Sequence, residues 1–401
     1  MHTEIMQADV VVIGAGALGL STALHCAIAG RSVVVVERDT AGSRASGRAA
    51  GLFKSVQADA LRTRLARRSI DRAVRFADWT GVPLAVTRTG SYLIARTGAH
   101  RDYLRTEAGR SAGWGVDLRP ASGAEIADAV CYYDDTGSTE FALWCPQDIY
   151  IEEPMDLISG YQVAARLHGA ELFEHEAVTA ITVSGGRVAG VQTEQRSISA
   201  RAVVDAAGAW ARQVAALAGG AVAVAPVRHQ LLITEPGGTS EADPIVRVVD
   251  AAVYLRPARG GLMAGGFERG PVAFDVDAPP DQVPLDRAVL EGLTDQVGRE
   301  VPAARGQVAE HRGGMFTMSP DGMFVLGPVP DVPGLWVAAG CNGSGFSSSL
   351  ALGEELAGQI TGSADPSALT ALAPARFGPL TDNYLIENGV WQYEHYYDQG
   401  S

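Results

Sequence analysis

The sequence predicts an α/β fold with two lobes, because apolar strands lead into glycine-rich turns and helices near both ends of the chain. The first such unit spans residues 9–29, and a second one with the same order begins with a strand at 335–339, a glycine-rich turn at 340–345 and a following helix. Strand, glycine turn and helix in succession are typical of a parallel sheet flanked by helices. Between the two units, short alternating strands at 82–144 and long strands at 222–305 predict a second lobe built on a mixed or antiparallel sheet.

Three glycines of the first unit each have a distinct task in a strand–turn–helix. Gly14 permits the tight turn, Gly16 lets the backbone approach a pyrophosphate, and Gly19 lets helix and strand pack closely. The free amide groups at the helix N-terminus then face the phosphates. Glu37, at the end of the second strand, can accept hydrogen bonds from ribose hydroxyls and would repel a 2′-phosphate. These residues predict a dinucleotide site.

The presence of such units at both ends predicts that the nucleotide lobe is discontinuous and that its ligand is FAD rather than NAD. The expected Rossmann-like FAD-binding domain comprises residues 1–81, 152–220 and 306–365. The expected substrate domain comprises residues 82–151 and 221–305, followed by a C-terminal tail at 366–401. We expect the catalytic cleft between the two domains, which is a preferred place for ligand pockets.

The composition argues against several classes of partner and location. A net charge of −14 over 401 residues disfavours nucleic acid, which needs a basic surface. The first seven residues have no targeting pattern and no apolar run could span a membrane, so we expect a cytoplasmic protein. The arginine-rich stretch 62–75 has helical spacing and is interpreted as a solvated helix face. No metal site is expected, since the cysteines lack ligand spacing and are interpreted as reduced thiols: Cys26, Cys131, Cys145 and Cys341.

Six segments of this chain together resemble the D-amino-acid oxidase and sarcosine oxidase family of flavoproteins, which includes glycine oxidase-like members. The resemblance covers nearly the whole length. It implies FAD-dependent oxidation of a C–N bond in a primary or secondary amine or an amino acid. The segments that carry it are 11–19, 45–51, 203–210, 320–322, 326–328 and 337–346.

The resemblance also implies which residues hold FAD. The loop 46–51 would wrap the pyrophosphate and the flavin edge, Val178 would meet the adenine, and 342–347 would hold the pyrimidine side of the flavin. The complete predicted set is Gly14, Gly16, Ala17, Leu18, Gly19, Glu37, Arg38, Ser46, Gly47, Arg48, Ala49, Ala50, Gly51, Leu52, Val178, Ala207, Gly208, Trp210, Asn342, Gly343, Ser344, Gly345, Phe346 and Ser347.

The chain departs from the family at the positions that attach flavin or hold substrate. The cysteine that attaches flavin in some members is missing at 313–317, and the loop 43–51 has no histidine, so we predict non-covalent FAD. Ser347 stands where sarcosine oxidases have a lysine, and Phe316 lies near the arginine position of glycine oxidase-like members. A substrate carboxylate would then need another cation.

The predicted catalytic residues are Lys54, Tyr254, Arg256 and Arg312, with His229 and Met315 as further candidates for the pocket wall. Lys54 is the only lysine in the chain. Three hypotheses remain open for it: its ammonium could favour negative charge on oxygen as oxygen is reduced, it could hold a substrate carboxylate, or it could be solvated. Arg256 and Arg312 are the other candidates for binding a carboxylate.

The predicted reaction is hydride transfer from a C–H next to nitrogen to flavin N5, giving an imine that hydrolyses in water. Oxygen or another carrier would accept the electrons. Two alternatives are oxidation of a 2-hydroxy acid and a flavin subunit of a heteromeric dehydrogenase, so both homo- and hetero-oligomers stay open. In the latter case the aromatic tail would be the docking surface, although self-packing is the default: Tyr384, Trp391, Tyr393, Tyr396 and Tyr397.

Overall fold

The computed structural model describes residues 4–133 and 138–397 as a mixed α/β fold. The strands are β1 (Glu4–Gln7), β2 (Val10–Ile13), β3 (Val33–Val36), β4 (Leu52–Phe53), β5 (Ser91–Ala95), β6 (Arg119–Ala121), β7 (Phe141–Cys145), β8 (Ile149–Tyr150), β9 (Glu171–Phe173), β10 (Val178–Ser184), β11 (Arg187–Thr193), β12 (Arg196–Ser199), β13 (Ala202–Asp205), β14 (Ala225–Thr234), β15 (Ile245–Val248), β16 (Val253–Ala258), β17 (Gly261–Gly266), β18 (Val308–Met318), β19 (Val325–Pro328) and β20 (Leu335–Ala339).

The helices connect and cover these strands. They are α1 (Ala17–Ile28), α2 (Ala60–Val74), α3 (Phe76–Thr80), α4 (Gly98–Ala112), α5 (Gly123–Ala129), α6 (Pro154–Leu167), α7 (Ala211–Ala216), α8 (Arg287–Glu300), α9 (Gly345–Thr361) and α10 (Asp382–Glu394). Short 3-10 turns occur at Ser46–Arg48, Gly208–Trp210, Pro302–Ala304, Pro366–Leu372 and Pro374–Arg376. Among the helices of the described residues, none is long and apolar enough to cross a bilayer.

A six-stranded sheet joins the two glycine-rich ends of the chain. Its order is β19-β20-β13-β2-β3-β9, and every pair is parallel except β19 with β20. The strands β2 and β3 are buried at every position because both faces of the sheet are covered, as is usual for parallel sheets. Helices α1, α6 and α9 pack on one face, and the sheet β1-β12-β11-β10 packs on the other. The predicted α/β class is confirmed.

An eight-stranded, largely antiparallel sheet forms the other half of the fold, in the order β18-β14-β17-β16-β15-β5-β7-β6. Only β15 and β5 run parallel in it. The long strand β14 is buried at all of its positions and pairs with β18 along its length. The sequence assigned β18 to the nucleotide lobe through the segment 306–365, but its backbone hydrogen bonds make it part of this second sheet. The domain boundaries otherwise stay predictions.

The C-terminal helix α10 packs on β14 and β18 of the large sheet. Its residues Leu385 and Tyr393 are almost completely buried, whereas Tyr384 and Trp391 are about half exposed. Part of the aromatic tail therefore packs within the same chain, as the default interpretation expected.

Candidate functional site

A cavity of about 480 Å³ lies between the six-stranded and the eight-stranded sheets and receives residues from both. Most of the residues predicted from the sequence line it, although they come from segments far apart in the chain. They are Gly14, Gly16, Ala17, Leu18, Glu37, Arg38, Ser46, Arg48, Ala49, Ala50, Gly51, Leu52, Lys54, Val178, Ala207, Gly208, Trp210, Tyr254, Arg312, Gly343, Ser344, Gly345, Phe346 and Ser347. The candidates His229 and Met315 also line it.

Three predicted cofactor residues lie behind the cavity wall. A Cβ atom on Gly19 would lie 2.0 Å from the carbonyl oxygen of Gly14, so this glycine lets α1 pack against the end of β2. A Cβ atom on Gly47 would lie 2.5 Å from the sulfur of Met155. The Asn342 side chain accepts a hydrogen bond from the Ser319 amide at 2.9 Å, so it braces the loop before α9. These three residues shape the wall without lining it.

The turn between β2 and α1 is tight and is fixed by side chains from two other segments. Gly14 adopts a φ of +102°, and a Cβ atom there would lie 2.6 Å from the carbonyl oxygen of Ala206. Glu37 accepts a hydrogen bond from the Ala15 amide at 2.8 Å, and Ser46 Oγ accepts one from the Ala17 amide at 3.0 Å. The carboxylate of Glu37 therefore stands at the turn, where the sequence predicts the ribose.

The second helix N-terminus at the cavity belongs to α9. Its N-cap residue Ser344 makes no capping hydrogen bond with its side chain, and the first turn of α9 contains no acidic residue. The free amide groups and the helix dipole therefore favour negative charge at this end of the cavity. Both helix N-termini reach one cavity, so the residues present fit an extended dinucleotide that spans the two ends of the chain.

Lys54 is largely buried and paired, so the hypothesis of a solvated lysine does not describe this structure. Its Nζ lies 3.3 Å from Glu107 Oε1, and 15% of its side chain is exposed. Burial is the largest single influence and lowers the pKa of Lys54, but Glu107, Tyr103 and Tyr396 together raise that pKa above its ordinary value. The cavity wall therefore carries a permanent ammonium at neutral pH.

A neutral histidine joins two tyrosines beside the cavity. The ring nitrogens of His229 lie 2.8 Å from the Tyr393 hydroxyl and 3.1 Å from the Tyr254 hydroxyl. The His229 ring stacks on Phe316 with 4.3 Å between the ring centroids. Burial lowers the pKa of His229 to about 3, so the imidazole is uncharged at neutral pH. Tyr254 is thus held with its hydroxyl oriented.

The two predicted arginines differ in what they can offer a ligand. Arg312 lines the cavity and forms an ion pair with Glu310 at 2.5 Å, while its Nη1 is buried with no hydrogen-bond partner among the described residues. Arg256 does not line the cavity, because its guanidinium donates to the carbonyl groups of Ala50, Pro257 and Glu152 at 2.7, 2.5 and 2.8 Å. This geometry favours a structural role for Arg256 over the predicted substrate contact.

Several wall residues were not identified from the sequence. Arg247 lines the cavity from the buried strand β15, and Phe267, Tyr396 and Tyr397 add aromatic rings. An arginine among the apolar residues of β15 was a usable signal for the first of these. The tyrosines could not be placed, since nothing in the local sequence says which surface a C-terminal segment will contact. Among the described residues, no group of His, Cys, Asp or Glu is arranged to hold a metal ion.

Comparisons with known proteins agree with this site. The chain is 29% identical over 367 residues to sarcosine dehydrogenase of Homo sapiens and 27% identical over 400 residues to its dimethylglycine dehydrogenase. These matches cover 87% and 95% of this chain but only 39% and 46% of those proteins, so the chain spans less than half of their length. Glycine oxidase of Pseudomonas aeruginosa is 29% identical over 345 residues, which cover 84% of this chain and 90% of that enzyme.

The fold has close counterparts among solved structures. L-proline dehydrogenase from P. horikoshii superposes with a TM-score of 0.84 at 24% identity, over 94% of this chain and 98% of that one. At that identity the likeness establishes the fold alone. The model of the family described as FAD dependent oxidoreductase matches residues 9–359, which include both glycine-rich units and the second sheet between them. The chain therefore belongs to this family of FAD-dependent oxidoreductases, and FAD is its cofactor.

Proposed function

We propose that this protein oxidises a C–N bond of an amine or an amino acid. The observation that carries the proposal is a single cavity with a dinucleotide cradle at one end and an aromatic wall with buried cations at the other. Relatives named for sarcosine, dimethylglycine and glycine support an amine as the substrate. The chain spans less than half the length of the sarcosine and dimethylglycine dehydrogenases. The activity and partners proposed here therefore refer to this chain and not to those longer proteins.

We further propose how the wall residues hold FAD. The N-terminal end of α1, with Ser46 beside it, would hold the pyrophosphate, and Glu37 would bind a ribose. Arg38 lies over the Trp210 ring at 3.9 Å from its centroid, which stiffens the nucleotide end. The loop 46–51 and the first turn of α9 enclose the flavin. When bound, FAD supplies the electron acceptor for the oxidation.

FAD is proposed to bind without a covalent bond. Cys341 is the one cysteine at the cavity, and burial raises the pKa of its thiol, so the reactive thiolate is disfavoured. Acid denaturation of the purified protein followed by removal of the precipitate tests this proposal. Yellow colour in the supernatant supports it, whereas flavin that stays with the protein contradicts it.

The cavity residues provide what oxidation of an amine requires from a protein. The amine must be unprotonated, and a partly apolar wall formed by Phe267, Phe316 and Tyr396 disfavours an ammonium by desolvation. The same wall keeps water away from the reacting carbon. Tyr254, oriented by His229, is in place to donate or accept a hydrogen bond at the substrate.

The proposal also includes the roles of the two sheets, the cellular location and the assembly of the protein. We propose that the six-stranded sheet and its helices act as a Rossmann-like domain and the eight-stranded sheet as the substrate domain. A cytoplasmic location and an assembly with further copies or subunits stay proposals. Size-exclusion chromatography with light scattering measures the assembly.

Bleaching of the bound flavin under anaerobic conditions tests the function. The holoenzyme is mixed with a panel of primary, secondary and N-methylated amines and amino acids, and with a matched panel of 2-hydroxy acids. We expect the absorbance near 450 nm (roughly where oxidised flavins absorb) to fall with at least one amine and with no hydroxy acid. Bleaching by hydroxy acids alone would favour the C–OH alternative and overturn the proposal. Admitting oxygen afterwards separates an oxidase, which recovers its colour, from a dehydrogenase.

A further inference from the structure

A buried arginine, Arg247, lies in the substrate half of the cavity and is not used by the amine oxidation proposed above. Arg247 lies in β15 between Val246 and Val248, and it is 3% exposed while it lines the cavity. Its cross-strand partner in β16 is Tyr254, which lines the same cavity. Neighbours paired across a sheet present their side chains on one face, so both face the space where a substrate would lie.

A carboxylate behind the wall fixes one side of this arginine. Arg247 Nη1 donates to Asp148 Oδ2 at 2.7 Å. The Ser91 hydroxyl donates to the same oxygen at 2.8 Å, and the Ser55 amide and hydroxyl each donate to Oδ1 at 2.8 Å. Asp148 itself does not line the cavity. It therefore orients the guanidinium from behind and leaves the cavity side of Arg247 to a ligand.

Arg247 also has N–H donors that Asp148 does not use. A guanidinium has five N–H donors in a planar fork, and the structure uses one nitrogen of Arg247, for Asp148. None of its nitrogens is among the fully buried groups that lack a partner in the described residues. The nitrogens that Asp148 does not use can therefore meet a ligand in the cavity.

The charges on the wall separate by sign along the cavity. The acidic residues that line it gather at the nucleotide end: Glu37, Glu176 and Asp281. Glu176 is tied there because its amide donates to the Glu37 carbonyl, and Asp281 forms an ion pair with Arg38. In the substrate half Lys54 and Arg247 line the wall, while their partners Glu107 and Asp148 do not line this cavity. The surface that a substrate meets there is cationic.

We propose that Arg247 is a substrate-binding residue that holds a carboxylate of the substrate, with Asp148 as its positioning residue. The proposal rests on the function proposed above and narrows its substrates to amines that carry a carboxylate. A planar fork of N–H donors matches a carboxylate in two parallel hydrogen bonds, which a lysine cannot form. Arg247 thus binds the substrate carboxylate, for which the sequence had offered Arg256, Arg312 and Lys54 as candidates.

Ligand binding to the oxidised holoenzyme tests the proposal without turnover. Benzoate and acetate are titrated against benzamide and acetamide, and the absorbance spectrum of the bound flavin is followed. We expect the wild-type protein to bind the carboxylates at least about tenfold more tightly than the amides, as one charge-assisted hydrogen bond predicts. Equal affinity for acid and amide overturns the proposal, whatever the variants do.

The main variant removes both charges of the buried pair, so that no buried carboxylate is left unpaired. Arg247→Met is combined with Asp148→Asn, and we expect the double variant to bind benzoate about 10- to 100-fold more weakly. Asp148→Asn alone should retain binding, because the guanidinium keeps its charge. Arg247→Lys should bind with intermediate affinity, since it keeps the charge without the fork. A wild-type benzoate affinity in the double variant refutes the proposal, and so does a loss in Asp148→Asn as large as in the double variant.

A matched control tests whether any buried arginine would give the same result. Arg228 is 5% exposed and pairs with Asp286 at 2.9 Å, but it does not line the cavity. Arg228→Met should bind benzoate as the wild type does. Lys54→Met tests the alternative cation. If Lys54→Met weakens benzoate binding and the Arg247 double variant does not, the carboxylate is assigned to Lys54 instead. Carboxylate binding that depends on Arg247, without bleaching by any amine, would leave this site standing while the proposed reaction fails.

Discussion

At the scale of single residues, the cavity wall holds two cations that are paired with carboxylates, and two histidines of the fold are buried, of which His229 lines the cavity. Lys54 pairs with Glu107, and Arg247 pairs with Asp148. Burying one ion without its partner is costly, so each carboxylate offsets the cost of burying its cation. Within the described residues neither His25 nor His229 forms an ion pair, and burial lowers the pKa of both. The ion pairs can therefore be tested by removing one partner, and the buried histidines by lowering the pH.

Replacing Glu107 by Gln should lower the pKa of Lys54, because burial then acts without the opposing carboxylate. The unpaired ammonium should also reduce the free energy of unfolding by about 3–5 kcal/mol. Since Lys54 is the only lysine of the chain, selective isotope labelling of lysine gives one NMR signal whose titration reports this pKa directly. Glu355→Gln, which removes the ion pair between α9 and Arg68, is the control and should not move that signal. A Lys54 pKa unchanged in Glu107→Gln would show that the pair does not hold the charge.

The buried histidines should make the protein less stable as the pH falls. Burial lowers the pKa of His25 to about 4 from an ordinary value of 6.5, so the unfolded chain takes up this proton first. The stability that His25 contributes is present above pH 6.5 and is lost as the pH falls towards about 4, at about 1.4 kcal/mol per pH unit. In urea titrations at pH 7, 6 and 5, His25→Gln should reduce this slope. The exposed His168 offers a control, and an equal slope in His25→Gln would contradict the prediction.

At the scale of elements, the strand–turn–helix units could be predicted because their signal is local. Gly14, with its positive φ, and Gly19, against the Gly14 carbonyl, act within a few residues of each other, so their spacing carries the information. The tail is different. Tyr396 and Tyr397 reach the cavity only because α10 packs on β14 and β18, which are remote in sequence. The arginines of α2 likewise looked solvated, yet Arg68 and Arg72 form ion pairs with Glu354 of α9.

The helix α10 should contribute to stability through one face only. Tyr393 is fully buried, and its hydroxyl lies 2.8 Å from His229 Nδ1. Replacing Tyr393 by Ala should lower the free energy of unfolding by about 3–5 kcal/mol, as for other large aromatic residues removed from a core. Tyr384, on the same helix and 46% exposed, is the matched control, and its replacement should change stability by less than about 0.5 kcal/mol. Equal effects of the two changes would mean that α10 does not dock as described.

At the scale of the whole molecule, one parallel sheet brings the two glycine-rich units together from opposite ends of the chain. The strand β13 lies between β2 and β20, so the turns after β2 and β20 open at the same edge of the sheet. The sequence could predict that both units serve one ligand, because each repeats the same strand–turn–helix order. The sequence could not predict that β18 belongs to the eight-stranded sheet, since the pairing of β18 with β14 depends on contacts between remote segments.

Because the cofactor cradle uses both ends of the chain, FAD should stabilise the whole fold rather than one lobe. A ligand that binds only the folded state adds about 2.7 kcal/mol at one hundred times its dissociation constant. Thermal unfolding of the flavin-free protein at increasing FAD concentration should therefore show one transition that moves upwards as a unit. NAD at the same concentrations is the control and should leave the transition where it was. Two transitions, of which FAD moves only one, would show that the two ends do not share the cofactor, as would equal stabilisation by NAD.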